Sequence, residues 1–409
     1  MKFPYVDQQA VARFAAMTAD EVRAYETDVL RRVADLALIP PRLIHSPGPE
    51  YDDKKLDYAM NQSIERTAKG RLWAAWVSGG DSPDGFLVLN VSDDNGESWS
   101  KPQLIVRGHS DRLPIKRTVM GGCLWIDPLG TLRLYLLQAM NQQDGRRGLW
   151  CTVCDNPATE QPVWSVPQRI WHGSMLNKPL VLSSGEWLLP TQFGEPDTAL
   201  FGFEGVFPEL APYYGANVLV SVDQGKSVSW RATVKLPEGI RPSWYEHMMV
   251  ERKDGSIWML IRADGNKIME SLSRDKGCTW SLPEEAKGIR HVYSRFFLRR
   301  LLSGRLLMVK HGETMEDLTT TRCKLKAFLS EDDGHTWQGG LMLDERDELA
   351  YPDGVQAADG TIYITYDRNR GPDAKILLAR FTEKDIMVGK ITDPNSKLRL
   401  APCDLGSPE

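Results

Sequence analysis

Along most of the chain, short apolar or aromatic runs alternate with small polar turns, a pattern that predicts strands. Only the first forty residues depart from it. There Asp7 and Thr18 are candidate N-caps, and Thr18-Ala-Asp-Glu21 forms a capping box before EVRAYETDVLRRVADLAL. A helical hairpin packed outside the main body is expected, followed by the polar linker HSPGPEYDDKK.

The strand region is periodic. A turn containing glycine and followed by an apolar strand recurs six times, at Gly70, Gly130, Gly185, Gly255, Gly304 and Gly360, with spacings of 60, 55, 70, 49 and 56 residues. Glycine is needed where a tight hairpin turn demands positive φ, so each copy predicts two strands joined by a two-residue turn. A second repeat, Ser-x-Asp-x-Gly-x-x-Trp, interleaves with the first. It occurs at Ser92–Trp99, Ser273–Trp280 and Ser330–Trp337, with a looser copy, two residues longer, at Ser221–Trp230. The Asp can bond the turn's own backbone, and the Trp can pack under the hairpin, so these boxes are structural staples and not a site.

Two hairpins per unit, repeated six times, predict an all-β fold: a six-bladed propeller of four-stranded antiparallel blades with a short N-terminal helical segment. The expected organisation is a helical extension with a closing strand at 1–45, the propeller at 46–390 and a C-terminal tail at 391–409. The last blade looks one strand short, and Leu36–Ile44 is expected to supply that strand and close the ring.

Composition excludes several functions. Of 409 residues, 42% are hydrophobic and 26% charged, as in a globular protein with a large core. Fifty Lys and Arg against 55 Asp and Glu give a net charge of −5, so no bulk positive field exists for nucleic acid or an anionic membrane. No apolar run approaches the ~20 residues that span a bilayer, and no secretory signal is visible, which makes a cytoplasmic location the simplest expectation. The six cysteines do not suggest a disulfide framework, and Cys151-x-x-Cys154 lacks a second ligand pair, so neither metal nor cofactor is expected.

Blade geometry also locates the chemistry. The glycine hairpins and the Ser-Asp-Gly-Trp turns lie on one face, so first-strand starts, second-strand ends and third-strand starts lie on the other, around the channel mouth. Reading back from each glycine gives Asn61/Gln62, Met120/Gly121, Asn177/Lys178, Glu246/His247, Ser294/Arg295 and Tyr351/Asp353. Reading forward gives Ser78, Gln138, Gln192, Arg262, His311 and Asp367/Arg368; Arg322 opens a third strand. A mouth rich in Arg, with carboxylates and a tyrosine, suits an anionic sugar, because guanidinium grips a carboxylate in a bidentate way.

At these residues the chain resembles the sialidase superfamily of Asp-box propellers, over roughly residues 55–385. The spacings of Glu246 to Arg262 (16), Arg262 to Arg322 (60) and Arg322 to Tyr351 (29) follow that family's order, and Tyr351 lies in AYPDG. The resemblance implies a tyrosine nucleophile at Tyr351, activated by Glu246, with Arg262 and Arg322 clamping a substrate carboxylate. It also implies an acid/base aspartate, best matched by Asp81, with Asp84 almost as well placed. The family's first arginine has no counterpart in Ala59-Met60-Asn61-Gln62-Ser63-Ile64. Arg112, Lys178 or Arg295 are candidates to replace it, and His247, His311 and Asp353 complete the expected binding set.

Three functions compete at this level. One is an exo-acting glycoside hydrolase acting on an acidic oligosaccharide or glycoconjugate. The second is a lyase on uronic acids, with a His or Tyr base and arginines neutralising the carboxylate, in which His247, His311 and His109 would gain importance. The third is a non-catalytic carbohydrate-binding propeller. Nothing in the sequence indicates an oligomeric state.

Overall fold

The computed structural model describes every residue except 1–6, 109–111, 113–114, 142–145, 195–202, 204, 243, 372 and 407–409. Six antiparallel sheets follow one another along the chain, spanning 42–107, 117–172, 180–234, 248–285, 297–344 and 349–404, which we number blades 1 to 6. In each blade four strands pair in sequence order with the first of them at the central channel; blade 1 adds the strand 42–44 at its outer edge.

The six glycine turns share one hydrogen-bond pattern. In the first, Gly70 N–H donates to the Thr67 carbonyl while Thr67 N–H donates to the Arg71 carbonyl. The six glycines have φ between 80 and 102°. The connection is therefore a three-residue loop ending on a left-handed glycine, one residue longer than the expected turn; the extra residue lets a type I turn meet the strand twist. The Asp boxes close the outer hairpins on the same face as the glycine turns, where Leu72 pairs with Ser92. Asp94 accepts from Ser92 Oγ at 2.8 Å and from Ser98 N at 2.9 Å, and Ser92 Oγ accepts from Gly96 N at 2.9 Å.

Packing between blades forms the core and takes up about half of the tryptophans. Trp73, Trp76 and Trp187 are fully buried, and edge-to-face pairs join Trp73 to Trp164 at 5.6 Å and Trp125 to Trp187 at 4.9 Å.

Two expectations about the ring's ends are corrected. Strand Arg42–Ile44 does not complete the last blade; it pairs with Leu104–Arg107 as a fifth strand at the outer edge of blade 1. Blade 6 draws its own outer strand, Lys397–Asp404, from the expected tail. The ring closes through side chains. Asp353 of blade 6 accepts from Ile64 N at 3.0 Å and Ser63 Oγ at 2.8 Å in blade 1. On the opposite face Arg380 of blade 6 ion-pairs with Glu97 of blade 1 at 2.8 Å.

The expected helical hairpin is present as Gln8–Ala15 and Ala19–Asp35, with the Thr18–Glu21 capping box formed. It docks on the rim of the mouth, where Gln138 of blade 2 donates to the Ala37 and Ile39 carbonyls at 2.9 and 2.6 Å.

Candidate functional site

Two strained segments meet at the mouth. Trp244, Tyr245 and Glu246, which lead into the first strand of blade 4, have φ of 57, 52 and 41°. Tyr351 has φ of 53° at a bulge in the first strand of blade 6, where pairing skips between Ala350 and Asp353. Left-handed non-glycine residues cost of order 1–3 kcal/mol each and persist only where surrounding contacts enforce them. Here Asn61 Nδ2 holds the Tyr351 carbonyl at 2.7 Å, and Arg262 N holds the Tyr245 carbonyl at 2.8 Å. The bulge aims the Tyr351 side chain toward Glu246, and the two line one cavity of about 50 Å³ with Asp81, Gln62, Met120 and Trp244.

Glu246 Oε2 accepts from Arg262 at 2.6 Å, a pair with side chains 0% and 4% exposed. Glu246 Oε1 is buried without a hydrogen-bond partner. Burial first, then the Glu246 charge, raises the pKa of the Tyr351 phenol against the opposing pull of Arg262 and Arg370. Tyr351 is therefore a neutral phenol near pH 7, next to a carboxylate oxygen free to take its proton.

Asp81 lies on the loop after the second strand of blade 1, exposed to the mouth. Burial among the walls raises its pKa, with Arg370 opposing and Glu246 reinforcing the shift. Asp84, the alternative, is ion-paired with Lys116 and does not line this cavity. Arg262 lies under the Tyr293 ring at 4.3 Å, and Arg322 donates to the Tyr293 carbonyl at 2.9 and 3.1 Å. Tyr293 thus holds both predicted arginines.

The sequence reading missed Arg370. Its guanidinium stacks over the Tyr351 ring at 4.3 Å and pairs with the buried Asp367 at 3.1 Å. Asp367 also accepts from Asn61 N at 3.0 Å, at the place where the family's first arginine is absent. Arg370 sits two residues beyond the predicted strand end Arg368, in a loop of no fixed spacing, so only the arginine-rich run DRNR hinted at it. Burial, then the repulsion of Arg370 and Arg262, lowers the Arg322 pKa, so all three guanidiniums share one field. With Arg262 and Arg370 each paired to a carboxylate, Arg322 is the cation at the mouth without a carboxylate partner among the described residues.

Several expected binding residues lie elsewhere. Lys178, Arg295 and Asp353 form a buried network in the channel beneath the mouth. Lys178 Nζ donates to the Ile64 and Leu124 carbonyls at 2.6 and 2.7 Å and pairs with Asp353 at 3.2 Å and Glu65 at 3.4 Å. Arg295 reaches Asn177 at 2.8 Å, the Gln62 carbonyl at 2.8 Å, the Leu176 carbonyl at 2.7 Å and Asp353 at 3.2 Å. These donors are spent on protein acceptors, so the network ties blades together and cannot grip substrate. Arg112 is exposed and is absent from the cavity lining.

His247 and His311 are also removed from the mouth. Each is buried and bonded through Nε2 to a backbone carbonyl of a neighbouring blade, Asn217 and Leu349, both at 2.9 Å. His109 lies outside the described residues. Burial pushes the His247 pKa down to about 4 and that of His311 to about 3. Unfolded, both would protonate below their ordinary 6.5 while the native rings stay neutral. Stability is therefore complete above pH 6.5 and falls toward pH 4, by on the order of 3 kcal/mol for His247 alone. Urea midpoints measured across this range should fall with acid, and His247→Gln should flatten the limb.

Among the described residues no cluster of His, Cys, Asp and Glu stands ready to hold a metal ion.

Comparison with known proteins agrees with the fold. An intramolecular trans-sialidase from Ruminococcus gnavus superposes with a TM-score of 0.62 at 12% identity, covering 83% of this chain and 97% of that one. The NanB sialidase of Streptococcus pneumoniae gives 0.58 at 14% identity, covering 81% and 68%. A Dyadobacter fermentans protein of unknown function gives 0.57 at 16% identity, covering 84% and 97%. No curated protein matches the chain. A BNR repeat-like domain is matched over residues 70–364, and with its six blades and Asp-box turns the chain belongs to that family as a sialidase-like propeller.

Proposed function

We propose that this protein is a retaining glycoside hydrolase that releases a terminal acidic sugar, with Tyr351 as the nucleophile. The observation that carries the reading is the strained Tyr351 phenol beside the buried Glu246–Arg262 pair, with Arg322 and Arg370 flanking the same mouth. A neutral phenol can approach an anomeric carbon that bears a carboxylate without charge repulsion, which a carboxylate nucleophile cannot.

In the first step Tyr351 oxygen bonds to the anomeric carbon while its proton passes to Glu246 Oε1. Asp81, whose pKa burial and the Glu246 charge raise, is the proton donor to the departing glycosidic oxygen. In the second step ionised Asp81 takes a proton from water, the hydroxide displaces Tyr351, and the phenol recovers its proton from Glu246. The net change is addition of one water, and the anomeric configuration is retained through two inversions.

Arg370 replaces the family's missing arginine in this reading. A charged hydrogen bond is worth about 1.5–3 kcal/mol, so Arg370→Ala should raise KM about 10- to 100-fold on acid-bearing glycosides. Uncharged analogues should be unaffected, and Arg370→Lys should recover part of the loss. An equal effect on neutral glycosides would exclude a carboxylate contact. Elimination with His247 or His311 as the base loses ground, because both are pinned in blade interfaces.

A further inference from the structure

The fourth Asp box is not longer than the others. Ser221 Oγ donates to Asp223 at 2.9 Å and accepts from Gly225 N at 2.7 Å, and Ser227 N donates to Asp223 at 2.9 Å, at the same offsets as in the first box. The residue three after its glycine is Val228, which packs against the core between blades 2 and 3. It occupies the place held by Trp99, Trp280 and Trp337 in the other boxes. Trp230 is therefore not the staple of this box.

Trp230 is nevertheless held in place. It is 45% exposed, yet its Nε1 donates to Thr233 Oγ1 at 3.0 Å, which in turn donates to buried Asn217 Oδ1 at 2.6 Å. Tyr213 meets its ring edge-on at 5.7 Å and itself meets Trp171 at 5.5 Å. An exposed indole fixed by a hydrogen-bond chain forms a ready-ordered apolar platform, and binding there costs little further side-chain entropy.

Trp230 walls a groove of about 560 Å³ between the outer strand of blade 3 and the 278–283 segment of blade 4. The groove shares no residue with the mouth cavity. Trp280, Thr233, Arg231 and Lys235 line it with Leu282, which is 77% exposed, and no carboxylate does. Arg231 is paired with Glu186 at 2.7 Å, which leaves Lys235, exposed and without an ion pair among the described residues, as the groove's uncompensated charge. A pyranose ring offers an apolar C–H face and a hydroxyl rim, which suit an indole beside hydroxyl side chains, and the lone cation selects a carboxylate.

We propose that this groove is a second glycan site, which binds an acidic polysaccharide chain on the outer wall of the propeller. Its tethering of polymeric substrate for the mouth rests on the hydrolase reading; the binding itself does not.

The test is electrophoresis of the full chain in native gels containing hyaluronan, alginate, polygalacturonate or polysialic acid, with hydroxyethyl cellulose as the neutral control. A protein of net charge −5 has no bulk attraction to these polymers, so retardation reports a site. At least one acidic polymer should retard the wild type. Trp230→Ala should weaken that retardation at least tenfold, Trp230→Phe less, and Lys235→Ala severalfold with loss of salt dependence, all at unchanged urea midpoints. Absence of retardation in all four acidic gels, equal retardation in the neutral gel, or retardation indifferent to Trp230→Ala would overturn the proposal. Failure of the hydrolase reading would show separately, as no turnover of small acidic glycosides.

Discussion

Tyr351→Phe should lower kcat by a factor of about 10³ to 10⁶, the range seen when a nucleophile is removed and the rest of the site remains. The substitution deletes one oxygen from a partly exposed side chain, and with it the phenol's interaction with Glu246 and Arg262, while the ring and main chain keep their contacts. The Tyr351 carbonyl would still be held by Asn61, and Arg370 would still stack on the ring, so the bulge and the urea midpoint should not move. KM should change little, because the arginines are intact. Glu246→Gln makes a useful comparison. It removes the proton acceptor but also unpairs buried Arg262, so it should lose both activity and stability.

The second large effect concerns folding. Lys178→Met should destabilise the protein by about 3–5 kcal/mol, as expected when one partner of a buried ion pair is removed. Two carboxylates, Glu65 and Asp353, would lose their shared cation, and two backbone carbonyls would lose a donor, with only Arg295 left to offset Asp353. Natural domains are stable by only about 5–15 kcal/mol, so the urea midpoint should fall markedly. Turnover per folded molecule should be preserved. If Lys178 instead gripped substrate, KM would rise while the midpoint stayed in place.

Much of the fold was legible because propellers write their period into the turns. The six glycines and the Asp boxes occupy positions where backbone conformation admits few residue types, so they survive as spacing. The outer strand of blade 6 was not legible. No Asp box precedes it; a capped helix, Glu383–Val388, makes the connection, with buried Asp385 holding Thr392 and Ser396. Lys397–Asp404 alternates polar and apolar residues only over its first four positions, carries a proline at 402 and shifts register twice against its partner.

The site divides on similar lines. Glu246, Arg262, Arg322 and Tyr351 sit at fixed distances from blade landmarks, and the structure brings them together with Asp81. Lys178, Arg295 and Asp353 obey the same spacing yet lie one layer deeper. The arithmetic that puts a residue at a strand end does not say whether its side chain turns up to the mouth or down into the channel. Arg370 was invisible for the opposite reason: it reaches the mouth from a loop, and the arginine it replaces in the proposed function is absent more than 300 positions earlier.

The most direct test of the account is product analysis on a panel of sialosides and uronate-terminated oligosaccharides in ¹⁸O-labelled water. Hydrolysis through Tyr351 should give free acidic sugar carrying one labelled oxygen, with no ultraviolet-absorbing product, and this activity should be lost in Tyr351→Phe. An unsaturated, ultraviolet-absorbing sugar without the label, or full turnover by Tyr351→Phe, would contradict it.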